Sequence, residues 1–228
     1  MNTRWPRDRW LLSGLLVVLL VSSGVSVVLN GQPTDARDQW NRIYRDPGFP
    51  YKTERNDFLA EVIKERTPGR ALDLGTGRGR NALYLASQGW QVTGVDISDD
   101  AIRTATAEAA RAKLTVTFLR QDFDAFDVGQ GQWDLIAGIY MGDLVTTQAA
   151  RLIAGLKPGG VLIVENFARD INQPARVGGA PLGYGVNQLL EVFKDLRVRR
   201  YEDTTAIADW GRQSATVPVV RFLGEKPR

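Results

Sequence analysis

Ala71-Leu72-Asp73-Leu74-Gly75-Thr76-Gly77-Arg78-Gly79-Arg80-Asn81 is the stretch around which the chain is organised. An apolar run ends near an acid, three glycines alternate, and a helical pattern begins. Gly75 and Gly77 suit a turn that needs positive φ and close backbone approach, because glycine has no Cβ. The following helix presents free N–H groups and its positive dipole end to whatever lies over the glycines. Such a turn is a cradle for a nucleotide-like ligand.

The dinucleotide fingerprint is G-x-G-x-x-G. Here the pattern is G-x-G-x-G, and Arg80 stands where the third glycine of that fingerprint would fall. Asp73, two residues before the first glycine, would repel a pyrophosphate and would accept hydrogen bonds from an ammonium group. That chemistry favours a cationic ligand with an amino-acid tail, such as S-adenosylmethionine (SAM). Gln91-Val92-Thr93-Gly94-Val95-Asp96 reads as a second strand ending in an acid. An acid in that place accepts from ribose hydroxyls. It serves NAD and SAM equally, so Asp96 does not discriminate between them. An ordinary strand-to-helix turn explains one glycine, but not three in alternation between two acid-ended strands.

Pro68 to Ile97 resembles motif I and its successor in the class I SAM-dependent methyltransferases. Gly79-Arg80-Asn81-Ala82-Leu83-Tyr84-Leu85-Ala86 is most similar to the tellurite-resistance-type branch of small-molecule methyltransferases. The resemblance extends over roughly residues 40–228. It implies a doubly wound α/β fold with a seven-stranded Rossmann-like sheet, order 3-2-1-4-5-7-6, the last strand antiparallel. It also implies cofactor-binding positions. The first strand and its loop supply Asp73, Gly75, Thr76 and Gly77, with Arg80 and Asn81 at the carboxylate end of SAM. The second supplies Asp96 and Ile97. The third supplies Asp122, which matches the family position that reads adenine, and Phe123. The fourth supplies Gly138, where backbone approaches the methionyl part, and Tyr140 faces the transferred methyl group.

Composition excludes several chemistries. The 228 residues contain no cysteine and no histidine. Thiolate nucleophiles, disulfides, Cys/His zinc sites and histidine-based triads are therefore absent. A net charge of +3, with no dense Lys/Arg block, gives no argument for a nucleic-acid partner. Hydrophobic content of 43% is enough for a sizeable core.

Trp10 to Leu29 is uncharged and mostly apolar. As a helix at ~1.5 Å per residue it is roughly 30 Å long, enough to cross a bilayer. Arg4, Arg7 and Arg9 precede it, so the positive-inside tendency keeps the N-terminus cytoplasmic. The expectation is a single-pass membrane anchor. The alternative is a signal segment cleaved near Val21-Ser22-Ser23, with export of the rest. Either places the catalytic part on the side where SAM is not normally supplied. The chain divides into residues 1–30 (anchor or signal), 31–53 (linker and a short helix) and 54–228 (methyltransferase domain).

Thr34 or Asp35 caps the short helix that carries Trp40, Ile43 and Tyr44, residues that either line the ligand pocket or pack the helix on the sheet. A second helix spans Glu54 to Arg66. The alternation continues with a helix at 81–87 and another, capped by Ser98, to about Lys113. Strands follow at Thr115–Arg120, Gln132–Ile139 and Val161–Asn166, with a helix Thr146–Leu156 between the last two. Lys157-Pro158-Gly159-Gly160 reads as a turn. Two closing strands, Leu196–Glu202 and Thr216–Gly224, follow a helix capped by Asn187. Alternating strands and helices imply a parallel sheet with right-handed crossovers.

The function expected is methyl transfer from SAM to a small-molecule nucleophile by in-line displacement. No general base stands out, and Tyr140, Asp143 and Glu165 are candidates by position. The segment Ala168–Gly185, rich in Gly and Pro, is expected to form a lid, with Arg169, Arg176 or Tyr184 touching the substrate. The rival readings are a SAM-binding sensor domain without turnover and an NAD-dependent oxidoreductase. The missing third glycine and Asp73 speak against the latter.

Overall fold

In the computed structural model, residues 35–49, 51–169, 176–177, 180–181, 183–209 and 216–228 are described. The apolar segment 10–29 lies outside them, as do most of the expected lid and residues 210–215. Among the described residues no helix is long and apolar enough to cross a membrane. Residues 34–228 form one compact unit.

Seven strands build the sheet: β1 (Arg70–Leu74), β2 (Gln91–Asp96), β3 (Thr117–Arg120), β4 (Trp133–Ile139), β5 (Leu156–Phe167), β6 (Arg197–Ile207) and β7 (Thr216–Glu225). Their spatial order is β3-β2-β1-β4-β5-β7-β6. The first five are parallel, and β7 runs antiparallel to both β5 and β6. This is the expected order. The central strands are apolar almost throughout because helices cover both sheet faces. Leu72, Leu74, Ile136, Leu162 and Val164 pack on one side, and Ala71, Leu135, Ala137, Val161 and Ile163 on the other.

The helices are α1 (Ala36–Arg45), α2 (Asp57–Ile63), α3 (Arg80–Ser87), α4 (Asp99–Ala112), α5 (Leu144–Thr147), α6 (Ala149–Gly155) and α7 (Gln188–Val192). Asp35 caps α1, its side chain accepting from the Arg37 N–H. The second helix is shorter than Glu54–Arg66. Asn56 takes the N-cap position and accepts from the Leu59 N–H, which fixes the start of α2. The helix expected over Thr146–Leu156 is two, meeting at Gln148. Lys157-Pro158-Gly159-Gly160 does not act as a free turn. Gly159 N–H donates to the Lys226 carbonyl and Lys226 N–H to the Gly160 carbonyl, so the segment is drawn into β5.

The lid expectation changes as well. Tyr184 is buried in the main core and donates to the Gly142 carbonyl at 2.5 Å. Arg169 reaches back to the Gly183 carbonyl at 2.9 Å. Tyr184 thus ties the segment to the core and Arg169 braces the segment itself, and none of its described residues lines the cavity discussed below.

Candidate functional site

β1, β2 and β4 end at one cavity of about 670 Å³. Its walls include Asp73, Gly75, Thr76, Gly77, Arg80, Asn81, Asp96, Ile97, Asp122 and Phe123. Each residue expected at the cofactor site thus lines it, except Gly138. That glycine lies in β4 beneath Val145, where a Cβ would come within 2.6 Å of a valine methyl, and its neighbours Ile139, Tyr140 and Met141 form the wall instead.

The loop between β1 and α3 is built for close approach. Gly75 and Gly77 both have φ of +56°. A Cβ at Gly75 would fall 1.8 Å from Met141 Sδ, and one at Gly77 would fall 2.6 Å from the Tyr44 hydroxyl. Two carboxylates anchor this loop from below. Asp73 is 2% exposed and accepts from Thr76 Oγ1 at 2.6 Å. Burial pushes it up to about 6. Asp96 accepts from the N–H groups of Gly77 at 2.9 Å and Ser98 at 2.8 Å, and burial raises it too. Thr76 N–H also donates to the Val95 carbonyl at 3.0 Å. The glycine loop is therefore tied to β2. Asp122 accepts from the Asp124 N–H at 3.0 Å and opens a 3-10 turn over Phe123–Ala125.

Tyr140 stands at the far end with φ of +57°. A non-glycine residue held in that region costs about 1–3 kcal/mol and is kept only where its surroundings fix it. Here the Tyr140 N–H donates to the Glu165 carbonyl at 2.8 Å and the hydroxyl to Glu165 Oε1 at 3.1 Å. Burial, followed by the nearby charge of Glu165, raises the phenol well above its usual range. Asp143 is exposed just before α5 and does not line the cavity.

Behind Tyr140 lies a polar knot that the sequence did not announce. Asn56 donates through Nδ2 to Glu165 Oε1 at 2.7 Å and to Asp209 Oδ2 at 2.9 Å. Its N–H donates to Asn81 Oδ1 at 2.9 Å. Arg80 pairs with Asp209 Oδ1 at 3.0 Å, and Arg221 with Glu165 Oε2 at 2.7 Å. Each carboxylate of this knot thus has a guanidinium partner. An Asn before a helical run is a readable cap signal, but nothing local marks Asp209 or Arg221.

The cavity's cover comes from the N-terminal side. α1 crosses the start of α4, where Arg37 pairs with Asp99 at 2.7 Å and Arg45 with Asp100 at 2.7 Å. Asn41 Oδ1 accepts from Ser98 Oγ at 2.7 Å. Trp40, Tyr44, Phe49 and Tyr51 line the cavity, with Tyr44 stacked on Tyr51 at a 5.1 Å centroid separation. Trp40 and Tyr44 therefore face the pocket.

Residues 71–160 match a family model described as a methyltransferase domain. A curated relative, the ribosomal RNA small subunit methyltransferase C of Alcanivorax borkumensis, is 37% identical over 103 residues, 42% of this chain and 31% of its own. TehB from Haemophilus influenzae superposes with a TM-score of 0.66 at 20% identity, covering 75% of this chain and 62% of that one. The 1,6-didemethyltoxoflavin-N1-methyltransferase of Burkholderia thailandensis, solved with 1,6-didemethyltoxoflavin and S-adenosylhomocysteine, gives 0.57 at 23% identity, with 75% and 76% covered. The chain spans 31% to 60% of the length of the curated relatives it matches.

Proposed function

We propose that this chain, which carries a class I methyltransferase domain, transfers a methyl group from SAM to a small-molecule nucleophile. The observation that carries the reading is the pair of buried carboxylates, Asp73 and Asp96, bracketing a glycine loop in one cavity. A ribose diol meets an acceptor at Asp96 with either cofactor, but at Asp73 a pyrophosphate would meet a negative charge where an ammonium meets an acceptor. The cradle glycines also fit, since a side chain at either would collide with the residues over it.

Asp73 holds the ammonium and Asp96 the ribose hydroxyls. Asp122 and the N–H of Phe123 hold the adenine, with the backbone beyond Gly138 facing the methionyl carbons. Ile97 and Thr76 complete the walls, and Asn81, in the first turn of α3, accepts from the Asn56 N–H and lines the carboxylate end. SAM, when bound, supplies a methyl group on a sulfonium open to in-line attack. The chain contributes by holding two reactants in line and keeping water out, which is where such sites gain most of their rate. The aromatic side chains of α1 with Phe49 and Tyr51 provide the water-excluding wall. Tyr140, rather than Asp143, is the residue for the acceptor end, because it lines the cavity. Its raised phenol stays protonated at neutral pH, so it orients a nucleophile rather than deprotonating it.

The resemblance to the tellurite-resistance branch suggests a soft acceptor, a thiol or a chalcogen oxyanion. Incubating the full chain with SAM and a panel of thiols, selenite and tellurite should release S-adenosylhomocysteine only when an acceptor is present. Binding of SAM without release across the panel would contradict transfer to this class of acceptor. Residues 1–30 form a single-pass anchor in this reading, 31–53 the linker and covering helix, and 54–228 the catalytic domain. Protease digestion of sealed vesicles should leave residues 31–228 attached to membrane until cleaved. Release into the soluble fraction without protease would contradict the anchor.

A further inference from the structure

Beside Tyr140 the cavity wall carries a carboxylate that the cofactor does not need. Asp209, just past the end of β6, lines the cavity with its side chain 24% exposed. Glu165, the other acid of the knot, is 3% exposed and is neutralised by Arg221 from β7. The N–H of Asp209 hydrogen-bonds the Tyr140 phenol oxygen. One amide joins the two acids, since Asn56 Nδ2 reaches Glu165 Oε1 at 2.7 Å and Asp209 Oδ2 at 2.9 Å. The same Glu165 oxygen accepts from the Tyr140 hydroxyl at 3.1 Å. Arg80 holds the other Asp209 oxygen at 3.0 Å and the Asp209 carbonyl at 3.2 Å. Carboxylate and phenol are thus fixed next to each other in one wall by groups from α2, α3 and β5.

Asp73, Asp96 and Asp122 already account for the polar groups of SAM, so Asp209 faces whatever lies beyond the methyl group. A carboxylate has about four lone-pair sites. Among the described residues each Asp209 side-chain oxygen takes one donor, Arg80 or Asn56. Arg80 also donates to the Glu54 carbonyl at 3.1 Å, so it braces Asp209 rather than offering a cation to a ligand. Such a wall suits a ligand that brings a donor hydrogen and opposes an anion. Lys52, exposed in the same cavity wall, is the group that would favour an anion instead. We propose that Asp209 and Tyr140 form the acceptor subsite, and that the acceptor presents an N–H, O–H or S–H to the Asp209 carboxylate. The assignment rests on the methyl-transfer reading above and narrows it: a thiol stays within the class and a chalcogen oxyanion leaves it. The acceptor's lone pair forms the bond to the methyl carbon while the carbon–sulfur pair returns to sulfur as a neutral thioether. Positive charge passes to the acceptor atom and makes its proton strongly acidic, so a carboxylate suffices to take it. Asp209 then releases the proton to solvent.

Three analogues of SAM test this without knowledge of the natural acceptor. In each, nitrogen replaces the sulfonium sulfur, and a 2-aminoethyl, propyl or carboxymethyl arm of similar length replaces the methyl group. Titration calorimetry of the full chain should rank the aminoethyl arm about tenfold tighter than propyl, with carboxymethyl the weakest. Asp209→Asn should bring the aminoethyl-to-propyl ratio close to one. Each protein is compared with itself, so any effect of the change on Arg80 or on the shared adenosyl part cancels. Any other wild-type order, or a ratio kept in Asp209→Asn, overturns the subsite, and tightest binding of the carboxymethyl arm would assign that end of the cavity to an anion. The wild-type order stands as a test by itself should Asp209→Asn prove unstable. Failure of wild type to bind S-adenosylhomocysteine overturns the cofactor reading beneath the proposal, a distinguishable result.

Discussion

Asp73 carries a pH dependence that ligand binding should reverse. Its ordinary value is 3.8, and burial raises it to about 6 in the fold. A carboxyl raised by folding binds its proton more tightly in the folded state. Its contribution to stability is full below about pH 4 and is lost as pH climbs through about 6. The ligand-free protein should therefore show a thermal midpoint that falls across this window, with Asp96 adding in the same direction, and Asp73→Asn should flatten the curve. SAM affinity should move the other way, rising with pH as the carboxylate forms to meet the ammonium. Asp73→Asn should remove that rise and weaken SAM by ~1.5–3 kcal/mol at neutral pH, the worth of a charge-assisted hydrogen bond. Calorimetry at pH 5 and pH 7.5 reads both, and a pH-independent wild-type affinity contradicts the placement of the ammonium. At this scale the sequence was informative where glycine and acid alternate, since only certain residues tolerate positive φ beside a ligand. It named Tyr140 at the end of the fourth strand but not its backbone, because an aromatic residue does not advertise the left-handed conformation that its surroundings impose.

Helix α1 shows how an element can be legible and its role not. Asp35 and the spacing of Trp40, Ile43 and Tyr44 announce a helix, but its seat on α4 depends on polar partners far along the chain. The Arg37–Asp99 pair has side chains 44% and 45% exposed, and such pairs contribute about 0–1 kcal/mol. Asn41 is buried, and its amide oxygen accepts from Ser98 Oγ and, at 3.3 Å, from the Asp100 N–H. Asn41→Ala leaves those donors without an acceptor, at about 1–3 kcal/mol. Residues 35–53 should then become markedly more sensitive to protease, while Arg37→Ala should change sensitivity little. The opposite ranking would mean that the ion pair, not Asn41, seats the cover. Lys157-Pro158-Gly159-Gly160 teaches the same lesson in reverse. Its composition says turn, yet pairing with Lys226 near the end of the chain makes it strand.

The whole molecule brings together what the sequence keeps apart. Periodicity marked the parallel strands, because central strands buried on both faces read as plain apolar runs; their order came from the family resemblance, and the strand ends then nominated the cavity. The polar knot was not readable, since it joins Asn56 to Glu165 across 109 positions, Arg80 to Asp209 across 129, and Arg221 to Glu165 across 56. β7 delivers Arg221, and the end of the β6 segment delivers Asp209. Removing one partner from a buried ion pair costs ~3–5 kcal/mol. The Arg221 side chain is 23% exposed, so Arg221→Met should destabilise by less than that in denaturant titration, and Glu165→Gln/Arg221→Met by less than the sum of the single changes. Additive effects would show that the two groups act independently. The most direct test of the whole account is calorimetric titration of the full chain with SAM, S-adenosylhomocysteine and NAD. The account predicts binding of both adenosyl ligands and none of NAD; binding of NAD alone would contradict it.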